Sequence, residues 1–529
     1  IGVSDVAFHP SNPQVLLAAT GDSDFGSAYG VGVMKTEDSG VTWSPTGLAF
    51  GLSETATVNR IHRKEGAPNQ IVAATSDGIW LSVDDGETFT QTLEGQCSDL
   101  VPHPGAPEVW HAAFRPGEVY RSIDGGWNWS PVSGMPNPFS VSRFALATSP
   151  MAPNEVWAVG AKASTQGLHG IYHSTDSGAT YIALENTPNV LGYTVSGNDL
   201  GGQGFYDLAL AVNPSDPNHI VAAGVNLWSS FDGGSLWQCT GHWYGADSVP
   251  EIHADHHAVT FIPGTSDIVS AHDGGISRVQ DGQIQDLSQG LNIGQIYHIG
   301  HSEVKKDQLL SGWQDNGVNF LSGSTHAKVI GADGFHCLID PVDPNTLYAA
   351  EYFGKTHRSV DGGWSWQPWI GGNESGVDER GDWDTPMAFS PSQDNRIYVA
   401  KRRVYWTQDE GATWDQTDAL AGSQIQMLAL SPSDDSTLIV AKGVNAFRTE
   451  NLLSWTPLLG LPGLPVTDAL IHNDLDSIFW ISFGGYDPND RIWKTLDAGQ
   501  TWASNGAGLP ALPVNVMTQD TLSGDLYAG

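Results

Sequence analysis

A dense group of side chains suited to metal binding or acid/base chemistry lies near the middle of the chain. Residues 251–261 read EIHADHHAVTF and contain His253, Asp255, His256 and His257. On a strand, His253, Asp255 and His257 would share one face, because successive side chains alternate between faces. This spacing suits a metal or acid/base site on the inner rim of a fold. It suits equally a hydrogen-bonded plug of a central channel, so both interpretations stay open.

Further polar segments lie on either side of this group. They are GDSDFGSAYG with Asp22 and Asp24, SAHDGG with Asp273, GWQDNG with Gln314, Asp315 and Asn316, and GADGFH with Asp333 and His336. Binding residues collect on such loops when a rigid scaffold positions them. A zinc site is not predicted, because the sequence offers no third ligand at a suitable spacing. No cofactor is predicted to be required, and Ca²⁺ is the ion left open for the acidic loops.

The charge balance excludes several classes of partner. The chain of 529 residues carries 59 Asp and Glu against 23 Lys and Arg, a formal net charge of −36. Nucleic acid and anionic membrane surfaces need a basic footprint and are excluded as partners. Three cysteines, Cys97, Cys239 and Cys337, are too few and too far apart for a disulfide framework. The sequence shows no apolar run of about 18 residues, so no membrane-spanning segment is predicted.

One motif recurs along the whole chain: Ser or Thr, any residue, Asp, any residue, Gly, two positions, then an aromatic. The copies are TEDSGVTW from Thr36, SVDDGETF from Ser82, SIDGGWNW from Ser122, STDSGATY from Ser174, SFDGGSLW from Ser230, SVDGGWSW from Ser359, TQDEGATW from Thr407 and TLDAGQTW from Thr495. Degenerate equivalents are placed at Asp273 (HDGG), Asp315 (QDNG) and Asn451 (TENLLSW). The mean spacing is about 46 residues, the length of a four-stranded propeller blade. Short apolar strands such as QVLLAAT follow Pro/Asn/Asp turns, so the pattern predicts an all-β fold.

The motif resembles the Asp-box (bacterial neuraminidase repeat) of β-propellers. In that family the box is a structural turn between the outer two strands of a blade, remote from the ligand face. Single propellers carry about 4–8 blades, so we expect two in tandem, over 1–327 (about seven blades) and 328–529 (blades 8 to the start of 12). The repeats also resemble the single ten-bladed ring of sortilin-type domains. Because the chain begins without Met and ends on half a blade, we expect it to be a piece of a longer protein.

Two enzyme families with such repeats make different demands. Sialidases need an arginine triad and an Arg-Ile-Pro motif; the nearest string, NRIHR from Asn59, lacks the proline, so this family is excluded. The tandem-propeller xyloglucanases of glycoside hydrolase family 74 place one Asp from each propeller across a cleft, as general acid and base. That resemblance offers Asp333 in GADGFH, a shortened form of the family string, with Asp22 or Asp24 as its partner. Inversion needs carboxyl groups about 6.5–9.5 Å apart.

Two hypotheses on function follow. The first is a secreted or cell-surface propeller that binds a glycan or a surface protein through its inter-propeller cleft and channel rim, as the sortilin-like resemblance implies. Besides the polar segments, Trp243, Trp369 and Trp383 are the aromatics predicted to line such a cleft, because they lie outside the repeat positions. The alternative is a glycoside hydrolase acting on a neutral β-glucan such as xyloglucan.

Overall fold

The computed structural model describes residues 2–24, 28–51, 54–184, 186–246, 248–371, 376–377, 379–520 and 522–529. The predicted all-β fold is confirmed. Eleven four-stranded antiparallel sheets follow one another along the described chain, and a two-stranded sheet comes last. Among the described residues, the short 3-10 helices Pro138–Ser140 and Tyr352–Gly354 interrupt them. No helix in the described part of the chain has the length and hydropathy needed to cross a membrane.

The chain divides into two compact units, Ile1–Leu291 and Asn292–Gly529. The first unit holds sheets 1 to 6: β1 (Val3–His9), β2 (Asn12–Thr20), β3 (Gly32–Thr36), β4 (Ser44–Ala49); β5 (Val58–Lys64), β6 (Ala67–Thr75), β7 (Gly78–Ser82), β8 (Thr90–Glu94); β9 (Cys97–Pro102), β10 (Trp110–Phe114), β11 (Glu118–Ser122), β12 (Ser130–Pro131); β13 (Val141–Ser149), β14 (Ala152–Lys162), β15 (Leu168–Ser174), β16 (Ile182–Ala183); β17 (Ala209–Asn213), β18 (Asp216–Ala223), β19 (Leu227–Ser230), β20 (Gln238–Gly241); β21 (His256–Phe261), β22 (Ile268–His272), β23 (Gly275–Gln280), β24 (Gln283–Asp286).

The second unit holds sheets 7 to 12: β25 (Ile296–His301), β26 (Gln308–Trp313), β27 (Gly317–Ser322), β28 (Thr325–Ile330); β29 (Gly334–Ile339), β30 (Leu347–Glu351), β31 (Thr356–Ser359), β32 (Gln367–Ile370); β33 (Met387–Phe389), β34 (Ile397–Ala400), β35 (Val404–Thr407), β36 (Asp415–Gln416); β37 (Met427–Leu430), β38 (Leu438–Lys442), β39 (Asn445–Thr449), β40 (Thr456–Leu458); β41 (Val466–Ile471), β42 (Phe479–Phe483), β43 (Ile492–Thr495), β44 (Ala503–Ser504); β45 (Met517–Gln519), β46 (Leu526–Ala528).

Within each four-stranded sheet the strands pair in chain order, and the first strands of successive sheets pack on each other. This is the blade arrangement of a β-propeller. The second strands supply much of the core, because an apolar run such as QIVAAT in β6 is buried on both faces. Leu17 and Val33 of sheet 1 share a core cluster with Ile61 and Ile71 of sheet 2. Each sheet is therefore stabilised by burial against its neighbour rather than alone.

The repeated motif forms the turn between the third and fourth strands, as predicted. In sheet 4, Asp176 Oδ1 accepts hydrogen bonds from the Thr180 backbone N–H and the Ser174 hydroxyl, both at 2.8 Å. The Ser174 oxygen in turn accepts from the Gly178 N–H at 2.9 Å, and Gly178 has a φ of 76°, which favours glycine. In the degenerate copy at Asn451, its side-chain oxygen replaces the carboxylate.

Two other degenerate copies do not occupy this turn, contrary to the sequence prediction. Strand β22 ends at His272 and β23 begins at Gly275, so Asp273 lies between second and third strands. Asp315 lies at the same position in sheet 7. The reason is physical: a tight turn needs Asp and Gly whichever two strands it joins.

The boundary between the two compact units lies in the sequence between Leu291 and Asn292. It comes 36 residues (327 − 291) before the expected end of the first propeller. The difference arises because β29 packs against both β25 and β26, so sheet 7 belongs with the second unit. The assignment of blades to propellers stays a prediction.

We expect stability to fall in acid because of the repeated turns. Hydrogen bonds from Thr180 and Ser174 lower the pKa of Asp176 to about 2. A carboxyl group whose pKa is lower in the folded state stabilises the fold above its unfolded pKa near 3.8, and this stabilisation is lost as pH falls toward 2. Asp176→Asn should lower the Tm at pH 7 by about 2–4 °C, the effect of roughly one hydrogen bond. It should also weaken the dependence of Tm on pH between 4 and 2.

The control is Glu65→Gln, an exposed carboxylate in the turn between β5 and β6. Its Tm should follow the wild-type curve in a calorimetric pH series. An Asp176→Asn curve parallel to the wild type at every pH would contradict the prediction.

Candidate functional site

The structure brings most of the predicted residues into two groups, one in each unit. The first-unit group contains Asp22, Asp24, His253, Asp255, His256, His257 and Asp273, and the second-unit group contains Gln314, Asp315, Asn316, Asp333, His336 and Trp383.

In the first unit, a partly buried ion pair joins the glycine-rich loop of sheet 1 to the first strand of sheet 4. Asp24 Oδ1 accepts a hydrogen bond from Arg143 Nη1 at 2.8 Å, and Asp24 Oδ2 lies 3.0 Å from His257 Nδ1. Arg143 also donates Nη2 to the Leu208 carbonyl at 3.0 Å. Burial opposes ionisation of Asp24, but the His257 hydrogen bond and the Arg143 charge hold its pKa far below the usual range. Both Asp24 oxygens are thus engaged, and Asp24 anchors the loop.

His257 lies between two carboxylates. Its Nε2 is 2.9 Å from Asp273 Oδ1, and the Tyr206 hydroxyl donates to Asp273 Oδ2 at 2.7 Å. The Tyr206 ring packs edge-on against His257 with centroids 4.7 Å apart. Burial alone would lower the pKa of His257, but hydrogen bonds to Asp24 and Asp273 raise it to about 10. The imidazole is therefore a cation at neutral pH and donates both of its N–H groups.

Asp207 and Asp255 form a carboxyl pair beside this network. Burial raises the pKa of Asp207 well above its usual range, and the charge and hydrogen bonding of Asp255 add to the effect. Burial and the charge of Asp273 also raise the pKa of Asp255. Each carboxyl group thus disfavours ionisation of the other, and the effect is largest at the more buried Asp207. Gln203 Nε2 donates to Asp255 Oδ1 at 2.9 Å.

The histidine-rich segment is not one continuous strand, contrary to the sequence prediction. Strand β21 begins only at His256, and Asp255 has a φ of 63°, so the chain turns at that residue. His253 therefore precedes the strand, and its ring stacks on His272 at 5.6 Å. His256 is fully buried with Nδ1 2.7 Å from the Ser270 hydroxyl, and burial lowers its pKa well below the usual range.

In the second unit, Asp333 lies in the turn before β29. Asp333 Oδ1 accepts hydrogen bonds at 2.9 Å from Gln314 Nε2 and from the backbone N–H of Asp315. Gln314 is oriented by the Tyr297 hydroxyl and by Asn316, whose Nδ2 donates to the Gln314 carbonyl at 3.1 Å. Within the described residues, Asp333 Oδ2 has no hydrogen-bond partner. The carboxylate is thus fixed through one oxygen.

An aromatic cluster flanks the Asp333 turn. Phe335 packs on Tyr297 with ring centroids 4.7 Å apart, and edge-on against Trp383 at 5.6 Å. Trp383 is 39% exposed and lies nearly parallel to Tyr352, at an interplanar angle of 8°. Phe335 therefore connects the turn that carries the carboxylate to a partly exposed indole.

The backbone around this cluster is strained at three positions. Asp315, Ala332 and Phe353 have φ values of 57°, 59° and 60°. Such conformations cost free energy in residues other than glycine and are typical of ligand sites, where the surrounding structure maintains them.

Behind the aromatic cluster, two histidines and a carboxylate converge. His298 and His336 are the third residues of β25 and β29, and their rings stack with centroids 3.6 Å apart. Asp384 Oδ2 lies 2.7 Å from His298 Nε2, and Asp384 Oδ1 lies 3.5 Å from His336 Nε2. Burial lowers the pKa of His336 to about 3, so this imidazole is neutral at physiological pH. Among the described residues, these three form the one group of His, Cys, Asp and Glu close enough to hold a metal ion.

The two remaining tryptophans have different surroundings. Trp243 is 44% exposed and packs edge-on against Tyr244 at 4.6 Å. Trp369 donates Nε1 to the Glu410 carbonyl at 2.7 Å and packs on Tyr348 at 4.4 Å. Trp369 therefore contributes to packing between sheets 8 and 9, which accounts for its place outside the repeat.

Sequence reasoning missed Arg143, Tyr206, Asp207, His298 and Asp384. Arg143 carries a signal, because an arginine inside the apolar run VSRFALATS must be paired when it is buried. His298 carries a weaker signal. The strings IYH and GFH begin the first strands of neighbouring sheets, so His298 and His336 lie close together. The other three lie in irregular segments with no periodicity to reveal them.

Comparisons with known proteins show the fold. No family model matches the chain. A xyloglucanase of Paenibacillus sp. is 24% identical over 184 residues, 32% of this chain and 18% of that protein. The xyloglucanase Xgh74A of Acetivibrio thermocellus is 22% identical over 290 residues, 46% of this chain and 32% of that protein. The matched regions thus cover less than a third of the length of either relative.

Two solved structures share the architecture. An ancestral enzyme of glycoside hydrolase family 74 (GH74) superposes with a TM-score of 0.54 at 16% identity, over 95% of this chain and 83% of that one. PorZ, a bacterial surface component of the type-IX secretion system of Porphyromonas gingivalis, gives a TM-score of 0.50 at 11% identity, over 99% of this chain and 78% of that one. The chain is therefore a GH74-like β-propeller protein in fold.

The hydrogen bonds of His257 predict that the thermal stability of the protein depends on pH in the alkaline range. A histidine whose folded pKa is raised stabilises the fold fully below its unfolded pKa near 6.5, and this stabilisation is lost as pH rises through about 10. The Tm of the wild type should therefore fall between pH 6.5 and 9. In His257→Gln this part of the decline should disappear, and the Tm at pH 6.5 should be lower.

His301→Gln, which removes a largely exposed histidine of the second unit, serves as the control. It should leave the wild-type decline intact. Identical pH profiles for the wild type and His257→Gln would contradict the assignment of a protonated His257.

Proposed function

We propose that this chain binds and hydrolyses a neutral β-glucan such as xyloglucan, and that Asp333 is one of the two carboxylates of the acid/base pair. The observation that carries the proposal is the state of Asp333: one oxygen is held by Gln314 and Asp315, and the other has no hydrogen-bond partner among the described residues. A carboxylate that transfers a proton must be positioned by its surroundings and still reach the substrate.

The neighbouring aromatics supply a surface suited to a sugar. The exposed face of Trp383, backed by Tyr352 and Phe335, offers an apolar plane beside a polar group. A pyranose ring has apolar faces and a polar edge, so it fits such a combination. The net charge of −36 favours a neutral polysaccharide over an anionic one.

The similarity to two xyloglucanases supports hydrolysis of this substrate class over recognition alone. The GH74 resemblance names Asp22 or Asp24 as the second carboxylate. Asp24 has both oxygens engaged, by Arg143 and His257, which suits an anchor more than a proton acceptor. The choice of Asp22 or Asp24 stays a prediction from the sequence, and we propose a secreted or cell-surface location that brings the protein to its polysaccharide.

A second candidate function is glycan or protein recognition without cleavage. The observation that favours it is the exposed aromatic pair Trp243 and Tyr244 in the first unit, where 44% and 54% of these residues are accessible. Exposed aromatics of this kind are typical of protein contacts as well as sugar contacts.

Hydrolysis is tested by incubating the protein with xyloglucan and measuring new reducing ends. We expect activity in the wild type and a loss of about 10²–10⁴-fold in Asp333→Asn, the usual contribution of a general acid or base. Binding of xyloglucan in affinity electrophoresis should persist in Asp333→Asn, because the amide keeps the shape of the side chain. Trp383→Ala should instead weaken binding.

The matched control is Asp394→Asn, an exposed carboxylate in the turn between β33 and β34, which should keep full activity. Wild-type activity retained by Asp333→Asn would remove this residue from the mechanism. Binding by a wild type that releases no reducing ends would favour recognition without cleavage.

A further inference from the structure

The cluster of His298, His336 and Asp384 has no role in the proposed hydrolysis, yet its chemistry is specific. Two imidazoles and one carboxylate place ligand atoms within 4.8 Å of one another. They come from three parts of the second unit: sheet 7, sheet 8 and the segment before β33. Three ligands of this type, from separate elements, form the usual protein part of a site for a divalent transition metal.

Hydrogen bonding within the protein does not account for the cluster. His298 Nε2 and Asp384 Oδ2 are 2.7 Å apart, an ordinary hydrogen bond. Asp384 Oδ1, in contrast, is buried and has no hydrogen-bond partner among the described residues. A buried carboxylate oxygen without a partner is costly, and such exceptions call for an explanation such as a bound ion.

One separation in the cluster agrees with the requirements of a metal ion. Zinc binds nitrogen and oxygen at about 2.0–2.1 Å in a tetrahedron, so two of its ligand atoms lie about 3.3–3.4 Å apart. The observed separation of His336 Nε2 and Asp384 Oδ1 is 3.5 Å. The two imidazole rings are stacked, with planes that differ by 20°, so the rings must tilt toward each other before both nitrogens bind one ion.

The cluster has one side open to solvent. The side chains of His298 and Asp384 are each 33% exposed. An ion held by three protein ligands therefore has access to solvent for a water molecule as its fourth ligand.

We propose that His298, His336 and Asp384 bind a divalent transition metal ion of the zinc type and thereby join sheets 7 and 8 to the segment that leads into sheet 9. Imidazole nitrogens select this class over Ca²⁺ and Mg²⁺, which take oxygen ligands. The proposal is independent of the hydrolysis assigned to Asp333. Because the unfolded chain does not assemble the three ligands, binding stabilises the second unit.

Calorimetric titration with ZnCl₂ tests the site in chelator-treated, exhaustively dialysed protein. We expect one Zn²⁺ per chain and a rise in the Tm, with MgCl₂ producing neither. His298→Gln and Asp384→Asn should each weaken Zn²⁺ binding at least about 10-fold, the lower end of what even an outer partner contributes. The control His301→Gln removes a largely exposed histidine from the same strand and should bind Zn²⁺ like the wild type.

A second measurement does not depend on the variants folding. X-ray absorption at the zinc edge of the loaded wild type should show two imidazoles at about 2.0–2.1 Å. The proposal is overturned if the wild type neither takes up Zn²⁺ nor gains thermal stability. It is also overturned by fewer than two imidazole ligands in the absorption spectrum, or by folded His298→Gln and Asp384→Asn that bind as the wild type does.

Discussion

Charged side chains on the first strand of a sheet are removed from water and must be paired. The rest of each unit depends on this constraint. First strands of successive sheets pack side by side, so a charged side chain there needs a partner from another sheet. Arg60 of sheet 2 pairs with Asp99 of sheet 3, whose other oxygen accepts the Leu146 N–H of sheet 4 at 2.8 Å. In the second unit, Asp468 on the first strand of sheet 11 accepts the Met517 N–H of sheet 12 at 2.7 Å. Such contacts fix one sheet against the next. They also fix the positions of the turns at the ends of its strands.

Because of the same constraint, the polar clusters of the two units differ in whether their carboxylates are already paired within the protein. In the first unit two carboxylates are satisfied within the protein: Asp24 by Arg143 and His257, and Asp273 by His257 and Tyr206. A network of this kind rigidifies a loop. In the second unit, one oxygen of Asp333 has no hydrogen-bond partner in the part of the chain that the structure describes. The proposed chemistry is therefore placed at Asp333, and the proposed metal ion at the pair of histidines behind it.

Much of the fold could be predicted from the sequence, because turn chemistry and strand length are local properties that recur about every 46 residues. The same local character caused the errors. HDGG and QDNG have the composition of the repeated turn, yet Asp273 and Asp315 join a different pair of strands. For the site, local strings identified Asp333 and His336, whereas Arg143, His298 and Asp384 act through contacts between sheets, which no local pattern records.

The most direct test of the proposed role of Asp333 is the crystal structure of the chain with a xyloglucan oligosaccharide. We expect a sugar or water oxygen within hydrogen-bond distance of Asp333 Oδ2 and a pyranose ring against the exposed face of Trp383. An oligosaccharide bound only elsewhere, for example on Trp243 and Tyr244, with no density at Asp333, would contradict it.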